Sequence, residues 1–225
     1  MSPHLLQASA PITLLGGGKV NANHLSRALA LAPEIVAADS GADAALAAGH
    51  RPGRVIGDLD SVSEAALAVL PPGCLHRISE QESTDFEKCL RVVDAPLILG
   101  LGFLEPRLDH ALAAMNVLAR FPGRRCILLG ETDLCFLCPP DLRLAPPEGA
   151  RLSLFPLSPV AATSEGLRWP IAGIDFAPGG RIGTSNEVTG PVRITVASGA
   201  LAVILPVGEL EATAAALMAG AAAGG

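Results

Sequence analysis

Along the first part of the chain, short apolar runs bounded by Gly, Pro or Asp alternate with stretches whose apolar residues recur at helical spacing. Continuous apolar runs of this length read as buried strands, and a period near 3.6 reads as helix. Residues 11–15, 34–38, 54–56, 96–100 and 125–129 are accordingly expected as strands, and 24–31, 42–48, 63–69, 85–93 and 109–120 as helices. Strands alternating with helices pair in parallel through right-handed crossovers, giving an open sheet. The expected fold class is therefore α/β, with a Rossmann-like parallel sheet in the N-terminal part. Ligands bind such sheets beyond the carboxyl ends of the strands.

After about Pro139 the pattern changes. Pro139-Pro140 and Pro146-Pro147 punctuate the chain, and short extended runs follow at 151–155, 166–171, 181–185, 192–197 and 200–206, separated by Gly/Pro-rich turns. That is the pattern of a small antiparallel β-sandwich. The expected organisation is an α/β domain over 1–139, a β-sandwich over 140–208, and an Ala/Gly-rich tail over 209–225 holding a helical turn or two and no assigned function.

Composition narrows the classes. Half of the 225 residues are hydrophobic and 17% are charged, which excludes a chain disordered by charge. The richest apolar run, 95–104, is broken by Pro96 and two glycines and falls short of the roughly 20 residues a bilayer span needs. A net charge of −6 argues against a nucleic-acid surface, whose phosphate contacts require clustered Lys and Arg. The five cysteines, with no basic-then-apolar leader pattern, make a reducing cytoplasm the expected location. Cys135 and Cys138 form a CxxC inside an apolar run, which reads as structural because a zinc site needs a partner motif. With six Phe, one Trp and no Tyr, any task requiring an aromatic face falls on very few side chains.

The chemistry gathers at strand ends. Asp39 and Asp43 follow the second strand, Gly57-Asp58-Leu59-Asp60-Ser61 follows the third, and Ser83-Thr84-Asp85-Phe86-Glu87-Lys88 and Arg107-Leu108-Asp109-His110 each open a helix. In an extended segment, residues two apart point the same way, so Asp58 and Asp60 are expected to present two carboxylates on one face. Crowded carboxylates repel one another unless a cation neutralises them, and Mg²⁺ favours all-oxygen ligands with positions open for phosphate. Each motif alone reads equally well as a turn or helix cap, and Thr84 with Glu87 fits a capping box. Their convergence on one sheet edge tips the reading to a site. Lys88 and Arg107 are the nearby cations able to hold phosphate, although Lys88 alone reads as well as a solvated helix surface. Gly16-Gly17-Gly18 is either a phosphate-approaching loop or a tight turn, since it fits neither nucleotide-loop signature. No GxSxG elbow is present, so the residue types point to phosphoryl-type transfer rather than covalent acyl chemistry.

These motifs, together with Gly166-Leu167-Arg168-Trp169 and Thr184-Ser185-Asn186-Glu187, resemble in order those of thiamine pyrophosphokinases, from about Ile12 to Pro206. The resemblance implies an ATP-binding α/β domain, a C-terminal β-sandwich and a homodimer with active sites between the N-terminal domain of one subunit and the sandwich of the other. It implies Mg²⁺-dependent transfer of pyrophosphate from ATP to the thiamine hydroxyl, an ATP:thiamine diphosphotransferase reaction giving thiamine diphosphate and AMP. Asp39, Asp58, Asp60, Gln81, Asp85, Lys88, Arg107 and Asp109 carry over as metal and phosphate positions, with Asp39, Asp58, Asp60 and Asp85 the metal ligands. Trp169, Ser185 and Asn186 carry over as thiamine-facing, Trp169 through a cation–π contact with the thiazolium. Without the resemblance, Trp169 reads as a core residue. Two departures stand out: Glu105 and Pro106 replace the family's usual glycine pair, removing an amide donor there, and Gln81 is flanked by Glu80 and Glu82 rather than aspartates. Two other functions fit the residues as well: a haloacid-dehalogenase-like phosphatase with Asp58 as nucleophile, and a nucleotide-binding module without turnover.

Overall fold

A computed structural model describes residues 6–222, and the chain has a mixed α/β fold in two compact units. One comprises Met1–Val117 with Leu128–Glu131, the other Leu118–Ile127 with Thr132–Gly225.

In the first unit the elements run β1 (Leu6–Gln7), β2 (Ile12–Leu15), α1 (Ala22–Leu31), β3 (Glu34–Ala38), α2 (Gly41–Ala47), β4 (Arg54–Gly57), α3 (Glu64–Val69), β5 (Leu75–Arg77), α4 (Asp85–Val92), β6 (Val93–Asp94) and β7 (Ile98–Leu101). Helix α5 (Leu108–Arg120) and strand β8 (Cys126–Leu129) follow. Strands β7, β2, β3, β4 and β5 pair in that order and in parallel. Ile12, Leu14, Leu15, Val36, Ala37, Val55, Ile56 and Leu99 are wholly buried, as continuous apolar runs predict for a parallel sheet covered on both faces. Thr13, the polar exception in β2, donates its hydroxyl to the Ala32 carbonyl at 2.7 Å and so loses nothing by burial. Helix starts are capped where short polar residues precede them: Asn21 on α1, Ser63 on α3, and Thr84 on α4 through the Glu87 amide. Two features escaped the pattern. β5 is a three-residue strand of Leu, His and Arg on the sheet edge, and the expected helix over 85–93 ends a residue early because Val93 pairs with Leu6.

The second unit is mainly antiparallel, built from β9 (Asp133–Leu137), β10 (Asp141–Leu144), β11 (Arg151–Pro156), β12 (Ala161–Leu167), β13 (Gly183–Ser198), β14 (Leu201–Pro206) and α6 (Leu210–Ala222). β9, β14, β11 and β13 pair in that order, and β13 also carries β10 and β12. The expected strands at 181–185 and 192–197 are one strand of 16 residues. Gly190-Pro191, which reads as a turn, is instead accommodated by a register shift against β12, where Gly166 has φ of +74°. A Cβ on Gly166 would meet the Pro191 carbonyl oxygen at 2.1 Å, so only glycine fits opposite this proline. The expected strand at 166–171 is also displaced: β12 ends at Leu167, and its polar Ala-Thr-Ser-Glu sequence hid its true start. The tail forms a full helix rather than a turn or two. Alanine favours it, and Leu210, Ala214 and Leu217 make a buried stripe at helical spacing beside β10. Burial pushes the thiols of Cys135 and Cys138 up to about 12, so both stay protonated at neutral pH.

Candidate active site

The acids assemble where β3 and β4 end. Asp39 has φ of +46°, its amide donating to the Ile56 carbonyl at 3.0 Å, so the chain reverses there and turns the carboxylate toward the neighbouring strand end. Gly57 closes β4 against it: a Cβ at that position would lie 2.9 Å from the Asp39 Cβ and 3.1 Å from Asp85 Oδ1. Side-chain oxygens of Asp39, Asp58 and Asp60 lie within 4.8 Å of one another. Asp58 and Asp60 meet by a different route from the expected extended segment. Leu59 is left-handed, with φ of +63°, and Asp58 Oδ1 accepts from the Asp60 amide at 3.4 Å, so a tight turn folds the pair together.

Lys88 is the counter-charge, and at 2% exposure it is no solvated helix residue. Its ammonium lies 2.9 Å from Asp85 Oδ1 and 3.5 Å from Asp58 Oδ2. Burial works against the ammonium, but these two carboxylates outweigh it and raise its pKa. Burial likewise pulls Asp58 upward, yet the hydrogen bond from Gln81 Nε2, the Asp60 amide and Lys88 together hold its carboxyl below the usual range. Asp39 goes the other way. Burial first, then repulsion from Asp85, Asp58 and Asp60, raise its pKa against the one favourable Ser61 contact, an amide 3.2 Å from Oδ2. Among the described residues its Oδ1 is buried without a hydrogen-bond partner, an arrangement that a cation would satisfy.

A cavity of about 570 Å³ opens beside this cluster, lined by Gly16-Gly17-Gly18, Ser61, Asp85, Phe103, Glu105 and Arg107 among others. Gly18 is required for close approach, because a Cβ there would lie 2.2 Å from the Glu105 carbonyl oxygen. Arg107 lines the cavity, and its guanidinium grips Asp109 at 3.1 and 2.6 Å. That hydrogen bond lowers the Asp109 pKa to about 2. Asp109 is thus an exposed partner of Arg107 rather than a member of the aspartate cluster.

The remaining predicted residues lie in the second unit. Trp169, just past β12, is 55% exposed and therefore no core residue. Asn186, buried in β13, accepts from the Trp169 amide at 3.1 Å and donates to its carbonyl at 2.7 Å. Ser185 takes φ of +59°, its amide bound to Ser153 Oγ at 2.9 Å. The Arg168 guanidinium sits 5.1 Å over the Trp169 ring and pairs with Glu187 at 3.1 Å.

Several contacts at the site were not expected from sequence. Arg77 Nε holds the Asp58 carbonyl at 2.8 Å, and Ser61 Oγ donates to Asp60 at 2.9 Å. Glu80 organises the Gln81 loop by accepting from the Glu82 and Ser83 amides and from Arg91 at 3.2 Å, bonds that lower its pKa to about 2, the Ser83 hydroxyl contributing most. A flanking acid two or three residues from amides it can fold back upon was the available signal.

Residues 25–128 match the thiamin pyrophosphokinase catalytic domain, and residues 140–201 match the thiamin pyrophosphokinase vitamin B1 binding domain. Thiamine pyrophosphokinase 1 of Arabidopsis thaliana is 30% identical over 168 residues, covering 66% of this chain and 62% of that protein. Thiamine pyrophosphokinase 1 of Oryza sativa subsp. japonica is 32% identical over 166 residues, covering 65% and 63%. The chain thus spans somewhat under two thirds of the length of these curated relatives. In fold it is similar to thiamin pyrophosphokinase from Geobacillus thermodenitrificans, with a TM-score of 0.73 at 23% identity over 87% of this chain and 97% of that one. The Candida albicans thiamin pyrophosphokinase gives 0.74 at 16% identity, over 88% and 89%.

Proposed function

Because the chain belongs to the thiamine pyrophosphokinase family, we propose that it transfers pyrophosphate from ATP to the thiamine hydroxyl, yielding thiamine diphosphate and AMP. The observation that carries the reading is the aspartate cluster, with its orphaned buried oxygen, beside a cavity walled by a glycine loop and Arg107. In this reading the first unit is the Rossmann-like nucleotide domain and the second a small β-sandwich that receives thiamine. Assembly as a homodimer and a cytoplasmic location belong to the same proposal.

The donor set suits Mg²⁺: it is all oxygen, and Asp39 Oδ1 lacks any other partner among the described residues. Asp39, Asp58, Asp60 and Asp85 would hold the ion, which when bound neutralises phosphate charge. Lys88 acts through Asp58 and Asp85, holding both carboxylates in place, since its ammonium is buried against them. Arg107 supplies the cation that faces the phosphates from the cavity wall, with Asp109 fixing its guanidinium plane. The thiamine oxygen attacks the β-phosphorus, the bond to the α-phosphate oxygen breaks, and AMP departs. A carboxylate of the aspartate cluster takes the hydroxyl proton. Trp169 offers its exposed face to the thiazolium cation, its backbone fixed by Asn186.

Product analysis tests the proposal. AMP and thiamine diphosphate should form in equal amounts only when ATP, thiamine and Mg²⁺ are all present. ADP in place of AMP would refute attack at the β-phosphorus. Phosphate released without thiamine would point to the phosphatase, and nucleotide binding without products to a sensing module.

A further inference from the structure

Glu105 lines the cavity and has a hydrogen-bond network of its own. Its carbonyl accepts from the Lys19 amide at 3.0 Å, and its Oε1 accepts from the Glu131 amide at 3.2 Å. Glu131 in turn takes the Lys19 ammonium at 3.1 Å and Asn21 Nδ2 at 3.0 Å, and Asn21 caps α1. Three loops that leave the carboxyl ends of β2, β7 and β8 are therefore tied together: the Glu105 side chain joins the β7 loop to the β8 loop, its backbone carbonyl joins it to the β2 loop, and the Glu131 carboxylate joins the β8 loop to the β2 loop. The same loops carry Gly16-Gly17-Gly18 and Arg107, which line the cavity.

We propose that Glu105 is a positioning residue: by accepting the Glu131 amide it fastens the loop bearing Arg107 to the β8 loop, whose Glu131 carboxylate holds Lys19 and Asn21 beyond the glycine loop, preorganising the wall that receives the nucleotide phosphates. This rests on the pyrophosphokinase reading for its ligand but not for its geometry. Preorganisation lowers the ordering cost of binding, so its loss appears in nucleotide affinity before it appears in chemistry.

Two variants separate the acceptor from the charge. Glu105→Gln keeps a carbonyl oxygen for the Glu131 amide, whereas Glu105→Ala keeps none. In ligand-free protein, amide hydrogen exchange at Glu131 should quicken in Glu105→Ala and stay near wild type in Glu105→Gln, whereas the Lys19 amide keeps the backbone carbonyl of residue 105 in both. Calorimetry with an ATP analogue whose α–β bridge is a methylene should show about fivefold weaker binding for Glu105→Ala, the scale of one lost hydrogen bond, with KM for ATP rising more than kcat falls and Glu105→Gln restoring both. Unchanged exchange and affinity in Glu105→Ala would overturn the clamp. Equal weakening in both variants would assign the effect to charge, and tighter binding in both would make Glu105 a repulsive group; either result refutes the proposal. Wild-type protein that forms no AMP would refute the pyrophosphokinase reading, while the exchange comparison would still decide the clamp.

Discussion

At the ends of β3 and β4 the protein crowds aspartates around a buried ammonium, while beside β12 it holds an exposed indole with two neutral hydrogen bonds. The first region is electrostatically tense. Asp58 is held ionised and Asp39 is pushed toward its neutral form within the same few ångströms, because Gln81 and Lys88 favour one carboxylate and like charges face the other. The second region carries little such tension, as Asn186 satisfies the Trp169 backbone and leaves its ring in solvent. Under the proposed function, the contrast separates two ways of preparing for a ligand: stored repulsion that a cation would relieve, and a flat surface fixed by its backbone.

The sharpest way to break that comparison is to remove the buried cation. Lys88→Met would leave Asp58 and Asp85 without their counter-charge. Losing one partner of a buried ion pair typically costs about 3–5 kcal/mol. Urea denaturation should show a loss of that order together with loss of turnover. A variant as stable as wild type would mean that the carboxylates do not depend on Lys88. The same operation in the second region, Asn186→Ala, unpairs the Trp169 amide and carbonyl and should cost about 1–3 kcal/mol, since only neutral groups lose partners. Equal losses from the two substitutions would erase the distinction between the regions.

How much of each region was legible follows from the same physics. The strands of the first unit could be read because parallel strands buried on both faces are continuous apolar runs, as at Ile12–Leu15 and Glu34–Ala38. The acids stood out because charged residues at strand ends are conspicuous against such runs. What could not be read was pairing that depends on distant backbone. The turn at Leu59 that joins Asp58 to Asp60, the burial of Lys88 and the unpartnered Asp39 oxygen are properties of the assembled sheet. In the second unit local signals misled. Gly190-Pro191 carries turn chemistry, but the length of β13 is set by its partners β10, β11 and β12, and the compensating glycine lies on another strand at Gly166. Trp169 read as core on apolarity alone, since exposure is not encoded by a single residue's type.

A smaller and opposite effect is expected at Asp39. Its folded-state pKa is raised above the ordinary 3.8, so ionising it costs more in the folded chain than in the unfolded one. Its favourable contribution is therefore complete below the unfolded value and is lost as pH rises through the folded one. Asp39→Asn removes that penalty and retains an acceptor for the Ser61 amide. Without Mg²⁺ the variant should be more stable than wild type at pH 7, and the advantage should vanish in denaturation at pH 3. Added Mg²⁺ should stabilise wild type more than Asp39→Asn. A variant less stable than wild type at pH 7 without Mg²⁺ would show that repulsion is not stored at this carboxylate.

Trp169→Ala should disturb the fold least of all. The ring is more than half exposed, and truncating such a side chain generally changes stability by less than about 0.5 kcal/mol. Its proposed work is done only with ligand present. A cation over an indole contributes roughly 0.5–2 kcal/mol, so the KM for thiamine should rise severalfold to about thirtyfold while that for ATP barely moves. The Arg168 guanidinium already lies over this ring, 5.1 Å from its centroid, in a cation–π geometry. If both KM values rose together, Trp169 would be acting through the general architecture of the protein, and the second region would lose its claim to a ligand of its own. If neither moved, the thiazolium would have to be met by a surface other than the chain's single indole.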